Sequence, residues 1–339
     1  MKEKLLPTKV SQFFVYRADV YNNMKKNIAV VGCGYWGQNL VRNFSELGAL
    51  RAISDPAIAT AQRLSKKYKV ASASFVEILN DSGVEGVVLA TPARLHASMA
   101  IKALEAGKHV YVEKPIAMNQ SEASEMILAA KEFGGQLMVG HLLQYHPVFV
   151  RVRELVAGEE IGALQYVYSN RLSLGKVRSE EDVIWSFAPH DISMILSLVP
   201  GSIKRVHAET NCVLRSGIAD NATIHLQFES GLRGHVTVSW LHPFKEQKLV
   251  IIGDRGMVVF DDTQPWERKL AKYAHTISCD GDHTEIEKAD IAYIEVPYAE
   301  PLKEECSYFL RLIEGEAPPL TDGIEGAAVL AVLNASSSK

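Results

Sequence analysis

The stretch Gly32-Cys33-Gly34-Tyr35-Trp36-Gly37 is the strongest local signal in this chain. It follows the apolar run Asn27–Val31 and opens a segment whose apolar residues recur at helical spacing. It fits G-x-G-x-x-G, in which glycines permit a tight turn and let the backbone approach a pyrophosphate at a helix N-terminus. A glycine turn with a purely structural role is the alternative. The strand–turn–helix context, with an acid about 20 residues further on, favours a dinucleotide site. That site would use Gly32, Gly34, Tyr35, Trp36 and Gly37.

Four more apolar runs in the first half also end in residues suited to dinucleotide or hydride chemistry. The runs are Leu50–Ser54, Val84–Ala90, His109–Val112 and Gln136–Val139, and the residues after them are Asp55, Thr91-Pro92, Glu113-Lys114-Pro115 and His141. Helical segments separate the runs, which is the βαβ pattern of a parallel sheet. Ligands of such sheets bind in the crevice beyond the carboxyl ends of the strands. The sequence therefore predicts an α/β protein that begins with a doubly wound Rossmann domain. Its cofactor site would include Asp55, Thr91, Pro92, Glu113, Lys114 and His141.

Asp55 stands where an acid accepts hydrogen bonds from the adenosine ribose. The alternative is an ordinary N-cap with Pro56 at the first helical position. No arginine follows Asp55 to receive a 2′-phosphate, so we expect NAD rather than NADP. His96 follows Thr91-Pro92 on a helix near the expected nicotinamide, although a polar histidine on a helix face is also common.

Lys114 ends a strand that the pattern predicts to be central and buried. An unpaired ammonium costs several kcal/mol in such a place. Beside a positively charged nicotinamide, the pKa of a lysine falls, and the amine can share a proton with a substrate hydroxyl. A lysine on a surface loop is the alternative.

After about residue 145 the pattern changes to alternating strands. The predicted strands are Leu164–Leu172, Ile203–Val213, Ala222–Phe228, Arg233–Trp240, Lys248–Ile252 and Met257–Phe260. Their short turns predict hairpins and a large, mostly antiparallel open sheet. Helical stretches at Ser186–Leu198, Leu302–Glu314 and Ile324–Ala335 could cover one of its faces. We therefore expect a cofactor domain at 25–145 and an α+β domain for substrate binding and oligomerisation at 146–339. Residues 1–24 are expected to be a disordered leader or a start-site artefact.

Composition narrows the classes of function. The 339 residues carry a net charge of -4, with 47% hydrophobic and 22% charged residues, which gives no electrostatic reason to expect nucleic acid or an anionic membrane as partner. The four cysteines form no CxxC pair, which fits free thiols in a reducing cytoplasm and predicts no metal site. No apolar run reaches the roughly 18 residues that a membrane span needs.

From roughly Lys25 to its C-terminus, the chain resembles the glucose-fructose oxidoreductase/inositol dehydrogenase/rhizopine catabolism (Gfo/Idh/MocA) family. The matching residues are Ala90-Thr91-Pro92, His96, Ala103–Val110 and Glu113-Lys114-Pro115. The resemblance implies that Lys114 is catalytic and that the bond to Pro115 is cis. It also implies a second domain whose open sheet binds substrate and forms a homodimer or homotetramer.

The family's second catalytic element is Asp-x-x-x-His on a helix that faces the nicotinamide. His190 fits the histidine, but Ser186 stands at the aspartate position. Serine forms hydrogen bonds without adding a charge. Asp191 points about 100° away on a helix, so it cannot simply replace the missing acid. The alternative for His190 is a capped residue at a helix start after Pro189.

Further stretches resemble a subgroup that acts on nucleotide-linked amino sugars. They are Gly34–Phe44, Ala188–Ser193 and Pro301–Cys306. The implied activity is NAD-dependent oxidation at C3 of UDP-N-acetylglucosamine or its uronic acid, for lipid A or surface-polysaccharide synthesis. Lys114, Tyr145, Arg171, Arg178, Trp185, His190 and Asp191 are the candidates to contact the sugar or its diphosphate. The alternatives are a dehydrogenase of free sugars or inositol, which needs no cations for a diphosphate, and a catalytically weakened NAD-binding sensor, which Ser186 would explain.

Overall fold

The computed structural model describes Lys25 and residues 27–175, 177–179 and 181–337. The expectation for the leader, residues 1–24, lies outside this part of the chain. No helix in the described ranges is long and apolar enough to cross a membrane.

The first half forms a parallel six-stranded sheet in the order β3-β2-β1-β4-β5-β6. Every residue of β1, β4 and β6 is buried, as expected for strands covered on both faces. The predicted runs are confirmed, with ends shifted by up to two residues. The two-residue β3 was not predicted, because a strand this short and exposed leaves no periodic pattern. The strands are β1 Ile28–Val31, β2 Leu50–Ser54, β3 Ala71–Ser72, β4 Gly86–Leu89, β5 His109–Glu113 and β6 Leu137–Gly140.

Five helices alternate with these strands. They are α1 Gly37–Glu46, α2 Ile58–Tyr68, α3 Phe75–Asn80, α4 His96–Glu105 and α5 Gln120–Phe133. Helix α1 begins at the last glycine of the glycine loop, so its free N–H groups face the carboxyl ends of the strands. Ser74 and Glu77 form a capping box at the start of α3.

The second half forms an eight-stranded sheet in the order β16-β13-β12-β11-β7-β10-β9-β8. Its strands pair antiparallel except β7 with β10, so the prediction of a mostly antiparallel open sheet is confirmed. A separate two-stranded hairpin, β14 with β15, stands outside it. The strands are β7 Leu164–Leu174, β8 Ile203–Asn211, β9 Asn221–Phe228, β10 Arg233–Ser239, β11 Leu241–Gly253, β12 Gly256–Asp261, β13 Leu270–Tyr273, β14 Thr276–Asp280, β15 His283–Glu287 and β16 Ile291–Tyr293.

Only some of the later helices cover this second sheet. The helices are α6 Pro147–Ala157, α7 Val183–Leu198, α8 Pro301–Ile313 and α9 Gly323–Ser337. Residues of α6, α7 and α9 share an apolar core with one face of the sheet. The expectation that α8 also covers it is wrong: Leu302, Cys306 and Phe309 of α8 lie in the core of the first domain, against α1. The division at residue 145 therefore misses a segment that returns to the cofactor domain.

Candidate active site

The glycine loop is packed tightly on one side and open on the other. Gly32 has φ +90°, and a Cβ there would lie 2.5 Å from the carbonyl oxygen of Ala90. A Cβ on Gly37 would lie 1.9 Å from the carbonyl oxygen of Gly32. Gly34, in contrast, has no atom within 4 Å of its Cβ position, and Tyr35 beside it is 93% exposed. The loop thus keeps free space next to the N-terminus of α1, where a pyrophosphate fits.

Asp55 lies beside this loop, as predicted. Its Oδ2 accepts a hydrogen bond from the Cys33 amide at 2.6 Å, and its Oδ1 accepts one from the Ala57 amide at 2.8 Å. The alternative in which Asp55 caps the next helix is wrong, because α2 begins only at Ile58 and has Ala57 at its N-cap. A carboxylate has about four acceptor positions, so Asp55 keeps capacity for ribose hydroxyls.

Glu113 connects the end of β5 to the glycine loop. The indole Nε1 of Trp36 donates to its Oε1 at 2.5 Å, and the Tyr111 hydroxyl donates to the same oxygen at 3.4 Å. Burial raises the pKa of Glu113, while the hydrogen bond from Trp36 and the charge of Lys114 lower it. Both predicted cofactor residues, Trp36 and Glu113, therefore lie together at the crevice.

Lys114 reaches from the first domain to the second. Its Nζ donates to the carbonyl oxygen of Ser186 at 3.0 Å. Burial lowers the pKa of Lys114, the Glu181 and Glu113 carboxylates oppose this, and the positive charges of Arg178 and Arg171 add to it. The Lys114–Pro115 peptide bond is cis, as the resemblance implied. A lysine so placed can act as a neutral amine that accepts a proton, and the surface-loop alternative is wrong.

His190 lies one helical turn after Ser186, inside α7 rather than at its start. The helix begins after Asp182, whose side chain caps it, and it continues through Pro189. The Nδ1 atom of His190 is buried, with no hydrogen-bond partner in the described part of the chain. Burial holds the pKa of His190 well below its usual range, and the positive charges of Lys114, Arg171 and His141 add to this effect. Ser186, one turn before His190, supplies no carboxylate that would oppose this shift.

Arg171 and Asp191 bind each other. Arg171 Nε lies 2.5 Å from Asp191 Oδ2, and Ser169 donates to Asp191 Oδ1 at 2.5 Å. The Asp191 side chain is 1% exposed, so the prediction that it contacts substrate is wrong: its carboxylate is already engaged inside the protein. Arg171 still lies close enough to Lys114 and His190 to influence both. Arg178 remains half-exposed at the rim, paired with Glu181 at 2.7 Å.

Three other predicted site residues have structural roles. Tyr145 is fully buried, and its hydroxyl lies 2.7 Å from Thr321 Oγ1, so it packs at the domain junction instead of contacting substrate. Trp185 packs between the apolar cores of both domains and donates to Ser337 Oγ at 3.0 Å. His96 is 1% exposed, and its ring nitrogens face the carbonyl oxygens of Thr91 and Pro115, so it holds these loops instead of the cofactor.

His141 and Glu325 form a pair that sequence reasoning missed. His141 Nδ1 lies 2.6 Å from Glu325 Oε2, and Ser193 of α7 donates to Glu325 Oε1 at 2.6 Å. Two hydrogen bonds next to Glu325 cover the edge of β6: the Val139 amide donates to the Thr321 carbonyl oxygen, and the Thr321 hydroxyl donates to the Val139 carbonyl oxygen. No signal in the sequence links residues so far apart. His141 is therefore buried and oriented by a carboxylate, and its predicted contact with the cofactor stays a prediction.

The open glycine loop, the acid after β2 and a lysine bonded to the helix that carries His190 define the class: an NAD-dependent oxidoreductase. A model of the oxidoreductase family with an NAD-binding Rossmann fold matches residues 26–141, and a model of the GFO/IDH/MocA C-terminal domain matches residues 149–259. The chain belongs to the Gfo/Idh/MocA family of NAD-binding oxidoreductases.

Individual relatives differ in their substrates. The chain is 25% identical over 304 residues to UDP-N-acetylglucosamine 3-dehydrogenase of Acidithiobacillus ferrooxidans, covering 89% of this chain and 93% of the relative. It is 26% identical over 248 residues to scyllo-inositol 2-dehydrogenase (NAD(+)) of Bacillus subtilis, covering 68% and 72%. The fold matches the WlbA dehydrogenase of Bordetella pertussis in complex with NADH and UDP-GlcNAcA with a TM-score of 0.74, at 23% identity over 93% and 97% of the chains.

Proposed function

We propose that this protein oxidises the C3 hydroxyl of a nucleotide-linked amino sugar, UDP-N-acetylglucosamine or its uronic acid, to a 3-oxo sugar. The observation that carries the proposal is the position of Lys114, whose amine crosses from β5 to the turn of α7 that presents His190. The similarity to the 3-dehydrogenase of Acidithiobacillus ferrooxidans, which spans most of both chains, supports this choice of substrate.

The chain's own residues would handle the proton of this reaction. A secondary alcohol becomes a ketone when its carbon loses a hydride and its oxygen loses a proton. Bound NAD supplies the hydride acceptor. Lys114, whose pKa is lowered, would accept the hydroxyl proton, and the His190 imidazole, presented by the same turn of α7, would hold the hydroxyl. Gly34 and Asp55 would hold the dinucleotide, and Arg178 at the rim would face the diphosphate.

We place this reaction in the cytoplasm, before an aminotransferase that converts the 3-oxo group in lipid A or surface-polysaccharide synthesis. A ketone is the functional group on which a transaminase acts, so the product chemistry fits such a successor. We also propose that the protein works as a homodimer or homotetramer through its C-terminal sheet.

The test compares substrates with the purified protein. We expect NADH formation with UDP-N-acetylglucosamine or its uronic acid, and a product two hydrogens lighter by mass spectrometry. The second measurement is a mass-spectrometric search of the native protein for a retained UDP-sugar. Turnover of myo-inositol with neither UDP-sugar oxidised would contradict the proposal.

A free sugar or inositol is the second candidate, and one observation favours it. The two arginines that could bind a diphosphate are each already paired with a carboxylate. Arg171 pairs with Asp191, and Arg178 pairs with Glu181. A free polyol needs hydroxyl partners only, so it places no demand on these arginines. The same comparison of myo-inositol with UDP-N-acetylglucosamine separates the two candidates.

A further inference from the structure

A chain of buried hydrogen bonds crosses from helix α7 to the end of β6. Gln144 Nε2 donates to Ser193 Oγ at 2.9 Å, and the Ser193 hydroxyl donates to Glu325 Oε1 at 2.6 Å. The other oxygen of that carboxylate, Oε2, lies 2.6 Å from His141 Nδ1. Gln144, Ser193 and His141 are each 1% exposed. Hydrogen bonds are stronger in such a dry place than in water, so this chain holds its members in fixed positions.

The direction of each bond follows from the group at the far end of the chain. Arg153 donates to Gln144 Oε1 at 3.3 Å, so the Gln144 amide turns its N–H groups towards Ser193. Ser193 accepts from this amide and gives its single hydroxyl proton to Glu325. An ionised carboxylate only accepts hydrogen bonds, so the ring proton of neutral His141 lies on Nδ1. The second ring nitrogen of His141, Nε2, is therefore a hydrogen-bond acceptor.

His141 stands beside the lysine of the candidate active site. Glu113 aligns with Gly140 where the parallel strands β5 and β6 pair, so Lys114 and His141 are the next residues on these two strands. Neighbouring strands lie about 4.8 Å apart. Burial is the main cause of the low pKa of His190, and the charge of His141 is one of those that add to it. His141 therefore follows the strand next to that of Lys114 and lies within electrostatic reach of His190.

The Glu325 carboxylate also holds helix α7. Ser193 lies three residues after His190 on this helix, so the two side chains share one helix face. The bond from Ser193 to Glu325 fixes α7 on one side of His190. The bond from Lys114 to the Ser186 carbonyl oxygen fixes it one turn earlier, on the other side. Glu325 therefore joins His141 to the helix that carries His190.

We propose that Glu325 is a positioning residue of the active site, which acts through His141 and α7. One carboxyl oxygen keeps His141 in the tautomer with an acceptor at Nε2, and the other holds the helix of His190. Lys114 becomes an ammonium when it accepts the substrate proton. A lone pair on the neighbouring imidazole stabilises that charge, whereas an N–H group would oppose it. The inference rests on the proposed function in its use of Lys114 as proton acceptor, and its first test needs no substrate.

The first test is the tautomer of His141, read from the nitrogen NMR shifts of its ring in the free full-length protein, with His141→Gln to assign the signals. We expect the Nδ1–H form in the wild type at about pH 8, where imidazole is mostly neutral. In Glu325→Gln the Ser193 hydroxyl still needs the side-chain oxygen, so the new amide turns its N–H groups to His141 and the ring proton moves to Nε2. Ser193→Ala keeps the carboxylate and should keep the Nδ1–H form.

The second test separates turnover from cofactor binding. It uses whichever alcohol the wild type oxidises, UDP-N-acetylglucosamine or myo-inositol, so it does not depend on the choice of sugar. We expect kcat of Glu325→Gln to fall about 10–100-fold, as on loss of a carboxylate that orients a functional histidine. The affinity for NAD, measured by calorimetry, should stay within about threefold, which also shows that the variant is folded. Glu132→Gln, at an exposed position on α5, is the matched control and should change neither quantity.

Three results would overturn the role of Glu325. The first is an Nε2–H tautomer of His141 in the wild type, and the second is an Nδ1–H tautomer that persists in Glu325→Gln. The third is a changed tautomer with an unchanged kcat. A wild type that oxidises neither alcohol would instead contradict the proposed function, and the tautomers of the wild type and of Glu325→Gln would still decide whether Glu325 positions His141.

Discussion

At Lys114, burial and neighbouring charges act on a single amine. Burial lowers the pKa of Lys114, and the charges of Arg178 and Arg171 add to this despite the nearby Glu181 and Glu113. The contact with Ser186 uses a backbone carbonyl, so it is independent of the side chain at that position. The replacement of the family's aspartate by serine therefore changes the charge near His190 without disturbing the position of the lysine.

Replacing Lys114 with alanine tests its role directly. We expect turnover to fall at least about 100-fold, because the proton acceptor is lost. The affinity for NAD, measured by calorimetry, should stay within about threefold, since the glycine loop and Asp55 are untouched. Lys102→Ala, at an exposed position on α4, is the matched control. Unchanged turnover in the Lys114 variant would remove this residue from the mechanism.

Glu305 is a second residue whose ionised form is unfavourable in its surroundings. Its side chain is fully buried beside Tyr111 and Glu113. Burial, reinforced by the Glu113 charge, raises the pKa of Glu305 well above its usual value. A raised folded-state pKa means that stability present at low pH is lost as the pH rises from the ordinary value of 4.5 towards the folded-state pKa.

Glu305→Gln should remove the loss of stability that accompanies a rise in pH, because glutamine carries no ionisable group. The free energy of unfolding of the variant, relative to wild type, should increase with pH by up to about 1.4 kcal/mol per pH unit above the ordinary glutamate pKa. Denaturant unfolding from pH 5 to 8 measures it. Glu316→Gln, at an exposed position just after α8, should show no such trend. Parallel pH profiles for Glu305→Gln and wild type would show that Glu305 is ionised in the folded protein.

At the scale of elements, α7 is the helix that organises the site. Its first turns supply the Ser186 carbonyl to Lys114, the imidazole of His190 and the carboxylate of Asp191 that holds Arg171. Proline inside a helix removes one backbone hydrogen bond and bends the axis, and Pro189 lies between these groups. Helix α7 therefore contacts both domains: Ser186 bonds to Lys114 of the first domain, and Asp191 bonds to Arg171 of the second-domain sheet.

Ser186→Asp tests what the missing acid does. A carboxylate one turn before His190 should raise the pKa of that imidazole, because it offsets the charges of Lys114, Arg171 and His141. Histidine NMR titration of the free protein measures the change, with Ser186→Asn as the uncharged control. A large gain in turnover for Ser186→Asp would show that serine at this position weakens catalysis, as the alternative of a catalytically weakened sensor states. An unchanged His190 titration would show that position 186 does not face the imidazole.

At the scale of the whole molecule, the cofactor domain depends on a helix from the other end of the chain. Phe309 of α8 packs edge-on against Phe44 and Tyr111, and Glu305 lies one turn away. The segment at residues 321–322 also covers the edge of β6 and brings Glu325 to His141. The two sheets are therefore connected by more than the single crossing near residue 146.

Phe309→Ala should show this dependence. Phe309 is completely buried, so we expect a loss of about 3–5 kcal/mol in the free energy of unfolding. We also expect weaker NAD binding under conditions where the first domain begins to open. Denaturant unfolding measures the loss, and Phe133→Ala, 44% exposed at the end of α5, should cost much less. Equal effects of the two changes would show that α8 contributes little to the first core.

Local sequence patterns were sufficient to predict much of the fold and part of the candidate active site. The glycine loop, the buried strands and the residues at their carboxyl ends were predictable, because periodicity and turn chemistry depend on neighbouring residues. Lys114 and His190 were identified as catalytic candidates before their geometry was known. The open sheet was predictable from its hairpins, but its strand order and the parallel pairing of β7 with β10 were not.

What the amino-acid sequence alone determined was the Rossmann domain, the NAD site at its strand ends and the family. Only the tertiary structure decided that Asp191 holds Arg171, that Glu325 orients His141 and that α8 belongs to the first core. The two ion pairs join residues 20 positions apart, as Arg171 and Asp191 are, and 184 positions apart, as His141 and Glu325 are. Composition and periodicity carry no information about such partners, because burial and charge pairing are set only once the chain has folded.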